Sequence, residues 1–135
     1  MIAALARADD SRDHLAALVL LVDDYADTRE LYGTYLRLKG YRIEEAEDGI
    51  DAIAKAVDLR PAVIVMDLAM PNMNGWEATR LLKADPRTMA IPIICLTAHG
   101  QLAERSRAMA AGSDGFLTKP CLPRVVGQEI RRVLG

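Results

Sequence analysis

Five short apolar runs alternate with five helical patterns from residue 18 onward, and that alternation restricts the fold more than any other feature of the chain. Leu18–Val22 reads as the first strand. A helix over 27–39 follows, with Leu31, Tyr35 and Leu38 on one face and Gly40 as its stop. Residues 41–46 form the second strand, where Arg42 and Glu44 alternate with Tyr41 and Ile43 as suits an exposed edge. Ile50, Ile53, Ala54 and Val57 stripe the second helix. The run 62–66 is continuously apolar and therefore central. A third helix spans 75–84 and a fourth strand 91–96. The fourth helix carries Leu102, Ser106, Met109 and Ala110, with Gly112 past its end. Gly115–Thr118 is the fifth strand, and Pro123 opens a last helix striped by Val126, Ile130, Val133 and Leu134.

Strict alternation predicts an α/β fold, a doubly wound five-stranded parallel sheet with helices on both faces. The flavodoxin-like strand order 2-1-3-4-5 is the arrangement expected. The 135 residues suit one domain, placed at 17–135, with 1–16 outside the pattern as an N-terminal extension. Within that extension, residues 2–8 offer a short helix or a loose arm. There is no repeat, low-complexity tract or interdomain linker.

Charge and composition exclude several classes. Seventeen basic against nineteen acidic residues leave a net charge of −2, unlike a domain built to hold nucleic acid. The longest apolar run, 15–22, is eight residues, far short of the roughly 20 that a membrane span needs. No basic start precedes a long apolar stretch, so no signal peptide is expected. Cys95 and Cys121 are too few for a disulfide framework and lack metal-ligand spacing, which suits a cytoplasmic protein.

The chemistry lies at the carboxyl ends of the strands. Strand one ends in Asp23 and Asp24, strand three in Asp67, strand four in Thr97 and strand five in Lys119. In an open parallel sheet those ends line one crevice, and strands one and three flank the point where the order reverses. Three converging carboxylates repel unless protonated or joined by a cation. With oxygen ligands only, and no His or Cys among them, the set favours a hard ion such as Mg²⁺. Lys119 and the Thr97 hydroxyl add a positive charge and a donor, the equipment of phosphoryl transfer to a carboxylate.

At these residues the chain resembles the receiver domains of two-component response regulators, over about residues 17–135. The matching elements are Leu-Val-Asp-Asp at 21–24, Met-Asp-Leu-Ala-Met-Pro-Asn-Met-Asn-Gly at 66–75, Leu-Thr-Ala at 96–98 and Phe-Leu-Thr-Lys-Pro at 116–120. The resemblance implies that Asp67 is the phosphoacceptor and that Asp23, Asp24, Asp67 and the Ala69 backbone carbonyl hold magnesium. It implies that Thr97 and Lys119 contact the phosphoryl group and that a cis peptide bond precedes Pro120. A histidine kinase or a histidine phosphotransfer protein would be the donor. The chain looks like the stand-alone kind, similar to chemotaxis and cell-cycle regulators, a monomer or weak dimer without nucleic-acid or membrane partners. Its output would pass through Thr97 and Phe116 to the face formed by helix four, strand five and helix five.

Four positions depart from the commoner pattern. Phe116 keeps the ring of a frequent tyrosine but lacks its hydroxyl, Ala69 offers no polar side chain, and His99 stands at the crevice mouth. In the family, the last two positions tune the lifetime of the phosphoaspartate; read by itself, His99 is a solvated loop residue. Leu122 replaces a polar N-cap, with Pro123 partly compensating. Cys95 and the methionines read as core filler, and Cys121 as accessible. Arg105, Arg107, Arg124, Arg131 and Arg132 make a solvated face or a contact for an acidic partner.

Two rival readings are weaker. A phosphatase of the haloacid dehalogenase kind needs a second acid two residues after its nucleophile at the end of strand one, where Tyr25 and Ala26 stand instead. A receiver-like module that binds partners without phosphorylation typically lacks one of the acids, the threonine or the lysine, and here all are present.

Overall fold

The computed structural model describes residues 16–98 and 102–135; the expectations for 1–15 and for His99 lie outside them. The strands are β1 (Leu18–Val22), β2 (Arg42–Ala46), β3 (Val63–Asp67), β4 (Ile93–Thr97) and β5 (Gly115–Thr118). Between and after them run α1 (Ala26–Leu38), α2 (Gly49–Leu59), α3 (Gly75–Ala84), α4 (Leu102–Ala110) and α5 (Pro123–Leu134). All strand pairs are parallel, in the order β2-β1-β3-β4-β5. Both expectations hold.

Because side chains alternate along a strand, the central strands feed two separate cores. Leu20, Ile64, Met66, Ile93 and Cys95 meet Ala52, Ala56, Ala78, Leu82 and Ala108 of α2, α3 and α4. Val19, Leu21, Val63, Val65, Ile94 and Leu96 meet Tyr32, Leu36, Val126 and Ile130 of α1 and α5. Every residue of β3 and of β4 is buried, whereas Arg42 and Glu44 of β2 are exposed, as an edge strand allows.

Three helices are rotated from the faces read off the sequence. In α1 the sheet takes Tyr32, Gly33 and Leu36, while Leu31 and Leu38 stand 57% and 82% exposed. In α2 it takes Gly49, Ala52 and Ala56 and leaves Ile50 outside. In α4 Ala108 alone is buried, and Leu102 and Met109 face solvent. Small residues let a helix backbone approach the sheet closely, and the bulkier apolar groups are displaced to its flanks. The last helix follows its predicted stripe, with Val126 and Ile130 buried and Val133 and Leu134 packed beside them. The methionines are not uniformly core: Met66 is buried, but Met89 and Met109 are exposed.

Local signals place the turns at the sheet's carboxyl edge. The Asp48 side chain caps α2 by accepting from the Asp51 N–H at 2.8 Å. Asn74 does the same for α3, accepting from the Glu77 N–H at 2.9 Å. Leu122 gives α5 no side-chain cap, and Pro123 stands in its first turn as expected. β3 and β4 each end one residue later than predicted, so Asp67 and Thr97 are themselves strand residues. Among the described residues no helix is long and apolar enough to cross a membrane.

Candidate metal centre

Asp23 follows β1 directly and is held from four sides. Its N–H donates to the Ala46 carbonyl at 3.1 Å. Its Oδ1 accepts from the Tyr25 N–H at 2.9 Å, and its backbone carbonyl accepts from Arg29 Nη1 at 2.7 Å. The fourth partner is Lys119, whose Nζ donates to Oδ2 at 3.0 Å. Asp24, one residue on, is exposed at the mouth.

Asp67 ends β3 and is 6% exposed. Its Oδ1 accepts from the Ala69 N–H at 3.3 Å, and Lys119 Nζ lies 3.5 Å away. The chain then folds back hard. Gly75 donates its N–H to the Leu68 carbonyl at 3.1 Å, and a Cβ there would stand 2.3 Å from the Asp67 carbonyl oxygen. Only glycine fits that approach.

The lysine and threonine arrive from the next two strands. Thr97 ends β4, is 2% exposed and pairs with Thr118. Lys119 donates its N–H to the Thr97 carbonyl at 2.7 Å, and the Lys119–Pro120 peptide is cis. One oxygen from each of Asp23, Asp24 and Asp67 falls within 4.8 Å of the others. The structure thus brings together Asp23, Asp24, Asp67, Thr97 and Lys119. Phe116 is half-buried against the core on the α2, α3 and α4 side, with the Arg105 guanidinium 6.0 Å from its ring centre.

Charge follows from this placement. Burial pushes the Asp67 carboxyl up to about 6, Asp23 and Asp24 push the same way, and Lys119 and the Ala69 N–H pull against them. Burial alone would lower the Lys119 ammonium; its bond to Asp23 and the charges of Asp67 and Asp23 outweigh that, and the net shift is upward. Burial raises both cysteine thiols, Cys95 in the core and Cys121 beside the site, so neither is primed as a thiolate. A carboxyl held so far above its ordinary range is relieved by a proton or a cation. Three oxygen donors clustered without nitrogen or sulfur fit a hard divalent cation.

The response regulator receiver domain family model matches residues 19–131. The chain belongs to this family. Among curated relatives, the receiver domain is 39% identical over 116 residues to the phosphate regulon transcriptional regulatory protein PhoB of Pseudomonas aeruginosa. That match takes in 86% of this chain and 51% of PhoB, so the chain spans about half the length of that regulator. Chemotaxis response regulator CheY4 of Vibrio cholerae superposes with a TM-score of 0.82 at 34% identity, covering 87% of this chain and 98% of that one. The receiver domain of sensor histidine kinase PA1611 from Pseudomonas aeruginosa also superposes at 0.82, with 32% identity over 89% of this chain and 98% of that one. That structure has a magnesium ion coordinated in its active-site cleft.

Two residues around the receiver site were not singled out from the sequence. Arg29 donates to the Asp23 carbonyl and, through Nε, to Glu45 at 2.8 Å, tying α1 to the ends of β1 and β2. Tyr32 donates its hydroxyl to the Cys121 carbonyl at 2.8 Å, joining α1 to the segment after Lys119. The available signal was Tyr32 itself, since a buried tyrosine needs a partner for its hydroxyl.

Proposed function

We propose that this receiver domain is a phosphoaspartate switch in which Asp67 accepts a phosphoryl group from a histidine kinase or a histidine phosphotransfer protein. The observation that carries the reading is Lys119 Nζ bridging Asp23 and Asp67 at 3.0 and 3.5 Å over a cluster of three carboxylates. Asp23, Asp24 and Asp67, with the Ala69 backbone carbonyl, are the groups that would hold magnesium. When bound, the ion would supply positive charge that offsets the carboxylates and the incoming phosphoryl oxygens.

The chain's own residues do the rest. An ionised Asp67 oxygen attacks the donor's phosphorus; the new O–P bond forms as the donor's N–P bond breaks, and that electron pair stays on the donor's imidazole nitrogen. Lys119 and the Thr97 hydroxyl take up the phosphoryl oxygens. A crevice of about 560 Å³ between Thr28, Leu31 and Tyr32 on one side and Pro120 and Cys121 on the other leaves room for a donor beside Lys119. The exposed Leu31 lines that crevice with apolar surface on which a donor protein can dock.

The signal leaves through Thr97 and Phe116 to α4, β5 and α5, where partner binding changes. Receiver domains are switches rather than conventional enzymes, and any hydrolysis would be slow release of the domain's own phosphoryl group. Acetyl phosphate with Mg²⁺ should add one phosphoryl group by intact mass. An Asp67→Asn chain that labels equally well would remove the central claim.

A further inference from the structure

Lys119 must span two carboxylates, yet the segment that carries it leaves the sheet at once. β5 ends at Thr118, a cis peptide follows Lys119, and α5 starts at Pro123 without a side-chain cap. The Lys119 N–H is tied to Thr97, and three residues then separate it from α5. Within that interval the Cys121 carbonyl accepts a hydrogen bond from Tyr32 on α1, 89 residues away in sequence.

Tyr32 suits such a tether. It is 7% exposed, packs in the core with Leu36 and Val126, and lies one helical turn beyond Arg29, which holds the Asp23 carbonyl. One helix thus fixes both partners of the Lys119–Asp23 pair: Arg29 the acid's backbone, Tyr32 the lysine's segment. The tyrosine also lines the crevice beside Lys119 and the small cavity between Asp23 and Asp67.

We propose that Tyr32 is a positioning residue for phosphoryl acceptance, its hydroxyl holding the 119–121 segment so that the Lys119 ammonium meets the phosphoryl oxygens on Asp67. This rests on the phosphoacceptor reading above. The carboxylates come from β1 and β3, which the tether does not touch. Losing the hydroxyl therefore relaxes the lysine, while Asp23 keeps its bonds to the Tyr25 N–H and the Ala46 carbonyl and Asp67 its bond to the Ala69 N–H.

The test compares the wild-type chain with Tyr32→Phe, which keeps the ring, and with Tyr35→Phe, half-buried against the same core, as a control. Three quantities are measured: acetyl phosphate labelling rate, beryllofluoride affinity at saturating Mg²⁺, and Mg²⁺ affinity alone. Tyr32→Phe should slow labelling and weaken beryllofluoride binding about three- to tenfold, the effect of one hydrogen bond, while Mg²⁺ affinity does not fall. Tyr35→Phe should match wild type in all three. Labelling and beryllofluoride binding at wild-type levels in Tyr32→Phe would overturn the role. So would a parallel loss of Mg²⁺ affinity with a lowered melting temperature, which would mark the bond as general scaffolding. A wild-type chain that never labels would sink the phosphoacceptor reading, and Tyr32's role with it, which separates the two failures.

Discussion

Lys119 lies closer to Asp23 than to Asp67: its ammonium is 3.0 Å from Asp23 Oδ2 and 3.5 Å from Asp67 Oδ1. The lysine is thus a resident cation in the pocket where magnesium would sit, and the two positive charges compete. Lys119→Met should bind Mg²⁺ several-fold more tightly, since like charges a few ångströms apart repel by about 1–4 kcal/mol at the dielectrics of water and protein surface. It should label at least about tenfold more slowly, having lost the charge that meets the phosphoryl oxygens. Calorimetric titration checks the first effect. Weaker Mg²⁺ binding in the variant would mean the lysine organises the acids instead of opposing the ion.

Burial of the Asp67 carboxyl should cost the metal-free fold stability. Asp67 titrates at about 6 rather than at 3.8, so between those values the folded chain holds a proton that the unfolded chain has released. Stability therefore falls as pH rises through that window, and it stays low above it. Asp67→Asn removes the charge while Lys119 keeps Asp23. Without metal at pH 7.5 it should be more stable by about 1–3 kcal/mol, at roughly 1.4 kcal/mol for each tenfold change in proton affinity and less where solvent screens the pocket mouth. The advantage should vanish below about pH 4. Thermal melts in chelator at several pH values test this, and a variant less stable than wild type at pH 7.5 would contradict it.

Asp24 separates metal binding from folding. It is exposed, so Asp24→Ala should shift stability by under about 0.5 kcal/mol, the usual range for surface changes. Mg²⁺ affinity should drop at least about tenfold, because a site with few carboxylates loses one. Trp76, in the first turn of α3 with the Arg107 guanidinium 4.2 Å from its ring centre, offers a fluorescence readout. An unchanged binding curve would place the ion elsewhere.

Thr97→Ala should still accept phosphate but transmit it poorly, because the hydroxyl that follows the phosphoryl group is gone while Asp67 and Lys119 remain. Phe116→Tyr should alter partner affinity more than labelling rate: Phe116 is half-buried against the core beside Arg105. Chemical-shift mapping with beryllofluoride follows the route. Changes that stayed around Asp67 and never reached 102–118 would show that it runs elsewhere.

Strands and strand ends were legible because their signals are local. Val63, Ile64, Val65 and Met66 form an unbroken apolar run, and the acid that follows needs no tertiary knowledge to be placed at its end. Helix faces were harder. A hydrophobic stripe marks where the oily side chains are, whereas the sheet chooses the residues that let a backbone come near. Ala52 and Ala56 displace Ile50, and Gly33 helps displace Leu31. Arg29 and Tyr32 were missed for a related reason: each works through a backbone carbonyl, of Asp23 and Cys121, and a sequence does not display where carbonyls point.

The fourth helix holds to the core through Ala108, whereas the fifth sinks both Val126 and Ile130. Opening free energy scales with what an element buries, so the backbone amides of α4 should trade hydrogen for deuterium well before those of α5. A protein that grips this helix meets an element whose resting position is only lightly enforced. On the proposed output route, partners of different shape would draw the same nine residues into different poses.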